Sequence, residues 1–419
     1  MKFIVTSGGT AGHIYPALAV AAELIQGGHE LLFAGTPAGL EARLAAADGL
    51  SYKAFAAAGF NRSRPWTLLT SSLRLGLSGV AARSWLAHEK PAAVAGFGGY
   101  ASLPTARAAA ALGIPLLIHE QNSTPGWANR HLARQAQAVA LSYEAARAAL
   151  AVNPAARVEL TGNPVRAAFL KAVQPGGRTQ AREAFRQQLG IPARARVLLV
   201  FGGSQGARHI NQAIVALAGE LMAVAGLHLI QITGPGELAA VKEALAAQQV
   251  VATVPAAAGV ATPAAAATAA TSSAPALAPS APAAPATPAS DLAERWHLMG
   301  YCDDMAAAYA ASDMVVARAG AGSLAEIAAM GLPSLLVPYP YATNDHQTTN
   351  ARSLVEAGAA VMVGDAELDT PQFARTLLGV LADVQKQSKM QHAARALAPA
   401  NAAATVARLL LSIAAEPQV

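Results

Sequence analysis

The chain has 419 residues, enough for two domains that each bury their own core. Hydrophobic residues reach 53% but aromatics only 5%, with alanine supplying the difference, and the formal net charge is +5; no basic run or interleaving of aromatics with arginines points to nucleic acid, so no nucleic-acid partner is expected. The one cysteine, Cys302, excludes an intrachain disulfide and a cysteine zinc cluster and suits a reducing cytoplasm, while no strongly apolar stretch reaches spanning length, so the protein is expected to be soluble or surface-attached.

Phe3–Val5 predicts a short buried strand that runs into Gly8-Gly9-Thr10-Ala11-Gly12-His13 and a helix from Pro16 to Gln26. Leu31–Phe33 predicts the next strand, and the runs at 92–95, 115–118 and 138–141 continue the alternation of strand and helix, completing a first doubly wound unit near residue 162. Within it, 66–86 reads as a helix with two apolar rows. Trp66, Leu69, Leu73, Leu77 and Val80 are assigned to core packing. Leu68, Leu75 and Leu86, with Arg62, Arg64, Arg74 and Arg83 nearby, offer a second face for a membrane surface.

A second series starts at Arg196–Phe201, followed by Gly202-Gly203-Ser204-Gln205-Gly206, and continues through strand-like runs at 228–232, 313–317, 334–338 and 360–363. The prediction is α/β, two doubly wound parallel sheets, with ligands bound beyond the carboxyl ends of the strands. Residues 251–290 are almost entirely Ala, Pro, Thr and Ser and read as a disordered surface insertion, because they cannot bury enough apolar area to offset chain ordering. From His392 onward an alanine- and leucine-rich helical tail is expected to pack back across the domains.

The polar motifs follow the strands. Glycines permit positive φ and close backbone approach, and a helix start presents unpaired N–H groups, so each glycine loop can hold an anion. His13 can deprotonate a hydroxyl, bind a phosphate, or simply cap its helix. The second strand ends without a carboxylate to bind an adenosine ribose, which argues against NAD. After Val316-Ala317 come Arg318-Ala319-Gly320-Ala321-Gly322-Ser323-Leu324-Ala325-Glu326, where small residues expose backbone to a diphosphate and Glu326 can accept two ribose hydroxyls. Asn344–Asn350 gathers amides suited to sugar hydroxyls. Asp303-Asp304 and the scattered Asp365, Glu367 and Asp369 do not make a metal site, and the latter three read as a solvated edge.

Taken in order, the first glycine loop, Gly96-Phe97-Gly98-Gly99-Tyr100, His119-Glu120-Gln121-Asn122, Gly162-Asn163-Pro164-Val165-Arg166, the second glycine loop and the Arg318–Glu326 stretch resemble the MurG family over nearly the whole chain except 251–290. The resemblance implies a GT-B fold, two Rossmann-like domains facing a cleft. The domains would be an acceptor- and membrane-facing unit at 1–162, a UDP-GlcNAc-binding unit at 163–391 and a returning helix at 392–419. It implies metal-independent, cofactor-free, inverting transfer of GlcNAc from UDP-GlcNAc to the 4-hydroxyl of MurNAc in lipid I, forming lipid II for peptidoglycan, at the cytoplasmic face of the bacterial cell membrane. Another GT-B UDP-sugar transferase, a UDP-GlcNAc 2-epimerase or a catalytically silent membrane scaffold stands as the alternative.

By motif position the resemblance implies that Thr10, Ala11, Gly12, Asn122, Arg166 and Ser204 approach the donor, and that the Cys302 backbone reads uracil. Ala321, Gly322, Ser323, Leu324, Ala325 and Glu326 would hold diphosphate and ribose, and Gln347 with Asn350 would read the sugar. His13 is the implied base or acceptor-positioning residue, and Tyr100, His119 and Glu120 shape the acceptor cleft. His346, Thr349 and Gly322 depart from the residue types of some relatives.

Overall fold

In the computed structural model, residues 1–57, 67–203, 206–248, 250, 252–253, 294–398 and 401–415 are described, with the backbone alone for 67–75 and 343. A first sheet takes β1 (Lys2–Thr6), β2 (Glu30–Gly35), β3 (Ser51–Ala54), β4 (Ala93–Gly96), β5 (Leu116–Glu120), β6 (Ala138–Leu141) and β7 (Arg157–Leu160) in the order β3-β2-β1-β4-β5-β6-β7. A second takes β8 (Arg196–Phe201), β9 (Leu227–Ile232), β10 (Trp296–Met299), β11 (Met314–Ala317), β12 (Ser334–Leu336) and β13 (Ala360–Met362) in the order β10-β9-β8-β11-β12-β13. Every pairing is parallel.

Parallel strands covered by helices on both faces read as near-continuous apolar runs, as Val197–Phe201 of β8, β4 and β11 do. In β8, Val197, Leu199 and Phe201 enter one core and Leu198 and Val200 the other; in β1, Phe3 and Val5 face one side and Ile4 the opposite. Strand order reverses between β1 and β4 and again between β8 and β11, which opens a crevice at each carboxyl edge.

Three parts of the sequence reading change. On the helix Thr67–Glu89, Leu77 and Val80 are exposed, at 66% and 71%, while Leu86 is buried with Ala82 in the core that also holds Ile4 and Val94. At these three positions the expected sides are exchanged: small Ser78 and Ala82, at a spacing of four, let the helix close on the sheet, with the Ser78 hydroxyl donating to Ala56 O. Residues 58–66, with Arg62, Arg64 and Trp66, and the side chains of Leu68, Leu69, Leu73, Arg74 and Leu75 lie outside the described residues.

The second change concerns the insertion. Thr253 pairs in parallel with His297, its N–H donating to Trp296 O at 2.8 Å, so Thr253 belongs to the sheet edge; residues 254–293 lie outside the described residues. The third concerns the tail: the helix Val384–Ala396 runs through residue 391 and places Met390 and Ala394 in the second half's cores. Beyond it, the helix Ala402–Ala414 buries Val406, Leu410 and Ile413 among Phe3, Phe33 and other residues of the first sheet.

Candidate active site

β1 delivers Ser7-Gly8-Gly9-Thr10 directly into a helix that begins at Ala11, five residues before the predicted start, with Pro16 inside it. The neighbouring loop after β4 interlocks with this one. A Cβ on Gly99, whose φ is +74°, would stand 2.1 Å from Gly8 O, and one on Gly8 would meet Ala101 and the Glu41 carboxylate at 2.6 Å, so these two glycines serve the protein's own loop packing. Gly12 is different, because the nearest atom to its added Cβ is Thr10 Oγ1 at 3.7 Å.

Thr10 is the N-cap, yet its side chain makes no cap bond; its Oγ1 lies 3.0 Å from His13 Nδ1 instead. No acidic residue occupies the first turn, so the leading N–H groups keep their positive end toward the cleft. The His13 ring packs over Gly98, where a Cβ would come within 3.3 Å of Cδ2. Burial, helped by nearby His346, pushes the His13 imidazole down to about 4. It is thus neutral near pH 7, and in the tautomer whose Nδ1–H donates to Thr10 Oγ1 the Nε2 lone pair is left to accept another proton.

Tyr100, 41% exposed, stands beside Gly9. His119 and Glu120 do not line the surface beside it: they are 0% and 1% exposed. His119 places Nε2 3.2 Å from Gly162 O, and burial pushes it down to about 4. Glu120 folds the next loop, its Oε1 accepting from Asn122 N at 2.9 Å and its Oε2 from Gly126 N at 3.0 Å and Asn129 Nδ2 at 2.9 Å. Both residues support the cleft from beneath: the Glu120 oxygens are committed to the loop at 122–129 and His119 Nε2 to the turn at 162.

The second half repeats the first loop's logic. Gly320 precedes the helix Ala321–Met330 with no side chain to cap it, and Leu324 N already bonds Gly320 O at 3.0 Å, so the N–H groups of Ala321, Gly322 and Ser323 lead into the cleft. The Leu324 and Ala325 side chains turn into the core and offer backbone only. A Cβ on Gly322 would meet just one atom within reach, Gly12 Cα at 4.0 Å. The first turns of two uncapped helices therefore face each other, and two positive ends directed at one gap favour an anion between them.

Glu326, one turn further on, is 8% exposed, and its Oε1 receives Arg166 Nε at 2.9 Å and Nη2 at 2.8 Å. Arg166 lies over the Tyr15 ring at 4.5 Å and the Phe169 ring at 4.8 Å, which fixes the guanidinium. Burial raises the Glu326 carboxyl above its ordinary range, opposed by Arg166. Its Oε2 is the oxygen not taken by the arginine. Cys302, 8% exposed, has its thiol pushed up to about 12 by burial and by Asp304, so its side chain is an inert filler. Ser204 lies outside the described residues.

Gln347 turns its Oε1 to Ala319 N at 3.2 Å and Tyr339 N at 2.9 Å, joining the turns after β11 and β12. Asn350 is 0% exposed and does not present its amide to a ligand: Oδ1 accepts from Ser123 N and Ser123 Oγ, and Nδ2 donates to Asn122 Oδ1 at 3.1 Å. Ser123, Tyr15 and Glu41 were missed by sequence reasoning. No spacing rule joins Ser123 to a residue 227 positions away, although Ser123 directly follows Asn122. Asp365 also differs from the expected solvated edge, since it binds His209 and pairs with Arg318, whereas Asp369, which also meets His209, is exposed as expected. Among the described residues no group of three or more His, Cys, Asp or Glu is placed to hold a metal ion.

Comparison with known proteins agrees along the chain. The profile of the Glycosyltransferase family 28 N-terminal domain matches residues 3–141, and that of its C-terminal domain matches 197–260 and 284–406. The UDP-N-acetylglucosamine–N-acetylmuramyl-(pentapeptide) pyrophosphoryl-undecaprenol N-acetylglucosamine transferase of Halothermothrix orenii is 35% identical, over 94% of this chain and 94% of its own. The enzyme of the same name from Solidesulfovibrio magneticus is 38% identical over 99% and 98%. The crystal structure of Acinetobacter baumannii MurG superposes with a TM-score of 0.68 at 26% identity, covering 98% of this chain and 99% of that one. A UDP-GlcNAc 2-epimerase from Neisseria meningitidis shares the fold, with a TM-score of 0.63 at 16% identity over 98% and 100%. With both sheets, the loop order and full-length relatives in agreement, the chain belongs to glycosyltransferase family 28, in its MurG branch, and has the GT-B fold.

Proposed function

We propose that the chain transfers N-acetylglucosamine from UDP-GlcNAc to the 4-hydroxyl of N-acetylmuramic acid in lipid I, releasing UDP and forming lipid II. The observation that carries this reading is the approach of Gly12 to Gly322, which aims two uncapped helix ends at one gap of diphosphate character. His13 Nε2 takes the hydroxyl proton as the acceptor oxygen attacks the anomeric carbon, and the bond to the diphosphate breaks with its electron pair leaving on UDP, so configuration inverts. The N–H groups of Ala11, Gly12, Ala321, Gly322 and Ser323 meet the charge that develops on the leaving group.

Glu326 Oε2 accepts from the ribose while Arg166 holds the carboxylate in place. The backbone at Cys302 reads uracil, Ser204 and Asn122 contribute at the donor, and the amino group of Gln347 reads the sugar. Asn350 serves the sugar site by holding the seam rather than by touching the ligand. Tyr100 borders the acceptor, with His119 and Glu120 fixing the floor.

In this reading 1–162 faces acceptor and membrane, 163–391 carries the donor, and 392–419 returns to the first unit. Among the described residues no helix is long and apolar enough to cross a membrane. Peripheral attachment at the cytoplasmic face rests on exposed Leu77, Val80 and Trp127, whose helices cover the same side of the first sheet, with Arg83, Arg130 and Arg134 exposed around them. Incubation with radiolabelled UDP-GlcNAc and a lipid I analogue tests the proposal: labelled disaccharide-lipid supports it, free UDP-ManNAc favours an epimerase, and no turnover defeats it.

A further inference from the structure

His209 opens the helix Arg208–Ala216, immediately after the second glycine loop, and both of its ring nitrogens face carboxylates. Nδ1 lies 2.8 Å from Asp365 Oδ2 and Nε2 3.0 Å from Asp369 Oδ2. A neutral imidazole has one N–H and one lone pair, and the lone pair would oppose a carboxylate; only the imidazolium satisfies both contacts. The surrounding charges are otherwise engaged: Arg208 pairs with Glu237 at 2.9 Å, and Glu367 accepts from Gly364 N at 2.6 Å.

Asp365 carries the contact onward. Its Oδ1 lies 2.5 Å from Arg318 Nη1, and Arg318 donates to Val337 O at 3.2 Å and Pro338 O at 3.0 Å while its guanidinium lies 5.5 Å from the centre of the Tyr339 ring. Tyr339 N in turn bonds Gln347, and Arg318 stands two residues before the cap at Gly320. One chain of polar contacts thus ties the turns after β8, β11, β12 and β13 together.

We propose that His209 is a positioning residue for the donor: its positive charge holds Asp365 against Arg318 and so fixes the turns that carry Gly320 and Gln347, making donor affinity fall when His209 loses its proton. This deepens the reading of the second half as the UDP-GlcNAc site and rests on it. The two aspartates raise the imidazole's pKa above its ordinary value, against the effect of partial burial. The charge is therefore complete below the imidazole's ordinary value and is lost as pH rises through the elevated one.

The test is calorimetric titration of the full-length wild type, His209→Gln and His209→Arg with UDP-GlcNAc from pH 6 to 9, with the His209 ring followed by NMR. Wild-type affinity should fall at least about fivefold across the range. His209→Gln should bind weakly at every pH, and His209→Arg, a permanent cation with several donors, should stay tight through pH 9. A ring that titrates at or below its ordinary value overturns the proposal, as does a His209→Gln variant that keeps the wild-type pH step. Should His209→Gln fail to fold, the wild-type titration and the arginine variant decide alone. Absence of UDP-GlcNAc binding at all pH values sinks the donor reading itself, whereas binding without a step due to His209 sinks only this inference.

Discussion

Asn350 Oδ1 accepts two hydrogen bonds from Ser123, one from its N–H and one from its hydroxyl, each at 2.8 Å, so one carboxamide on the second half closes the seam with the first. The same amide donates to Asn122 Oδ1, and Asn122 N is held by Glu120. A single side chain therefore connects the helix His346–Glu356 to the loop that Glu120 folds. The neighbouring contacts between Gly12 and Gly322 and between Arg166 and the Tyr15 ring close the same cleft.

Asn350→Ala should open it. The substitution strands the buried Ser123 N–H and Asn122 Oδ1, at about 1–3 kcal/mol for each group left unsatisfied. Small-angle scattering of the free protein should show a larger radius of gyration, and the KM for UDP-GlcNAc should rise about tenfold. Asn350→Asp, which keeps the acceptor for Ser123 but loses the donor to Asn122, should fall between. An unchanged radius and KM would mean that the seam is held elsewhere.

The sheets were legible in the sequence because their central strands are covered on both sides and show apolar runs, as in Val197–Phe201. β3 and β7 were not, since each is an edge strand: Ser51-Tyr52-Lys53-Ala54 and Arg157-Val158-Glu159-Leu160 are largely exposed and carry polar residues that match no buried pattern. In the site, the glycine loops and Glu326 could be found because their chemistry is local. Asn350 misled for the opposite reason, as an amide beside Gln347 reads as a sugar contact until Ser123 is brought against it. On Thr67–Glu89, Leu77, Val80 and Leu86 fell on the opposite sides from those expected because leucine count outweighed the small residues that allow close packing.

His13, pushed down to about 4 by burial and by His346, stays neutral and able to accept a proton throughout the physiological range. Activity should therefore persist as pH falls to about 5 and drop only as the imidazole protonates near 4. His13→Gln should lower kcat by about 10²–10⁴-fold with a smaller change in KM. The pH profile of kcat/KM against a lipid I analogue checks both statements. An acid limb centred on the ordinary histidine value, or a glutamine variant with wild-type kcat, would remove His13 from the base role.

Glu326→Gln preserves shape but not charge. Arg166 would then face a neutral amide, and a ribose hydroxyl would lose a charged acceptor, a difference of about 1.5–3 kcal/mol. The Kd for UDP should rise roughly 10- to 100-fold. Calorimetry with UDP and with UMP, which lacks the second phosphate, separates ribose from diphosphate contacts: both nucleotides should weaken equally. A loss confined to UDP would place Glu326 at the phosphates instead.

Leu77 and Trp127 are exposed at 66% and 61% and belong to helices whose inner faces, Ala82 with Leu86 and Ala128 with Leu132, fill one core on one side of the first sheet. Trp127 stacks on His131 at 5.4 Å, which orders the ring at the surface without burying it. Fully burying a large apolar side chain is worth about 1.5–3 kcal/mol, and entry into a lipid interface recovers part of that. Leu77→Glu combined with Trp127→Glu should reduce retention on vesicles containing anionic lipid at low salt by at least tenfold. Folding stability should hardly change, because neither side chain is packed inside, and transfer to a short-chain soluble acceptor should continue. Undiminished vesicle binding by the double variant would move the membrane contact to another part of the molecule, whereas loss of soluble transfer would show that these residues serve the cleft instead.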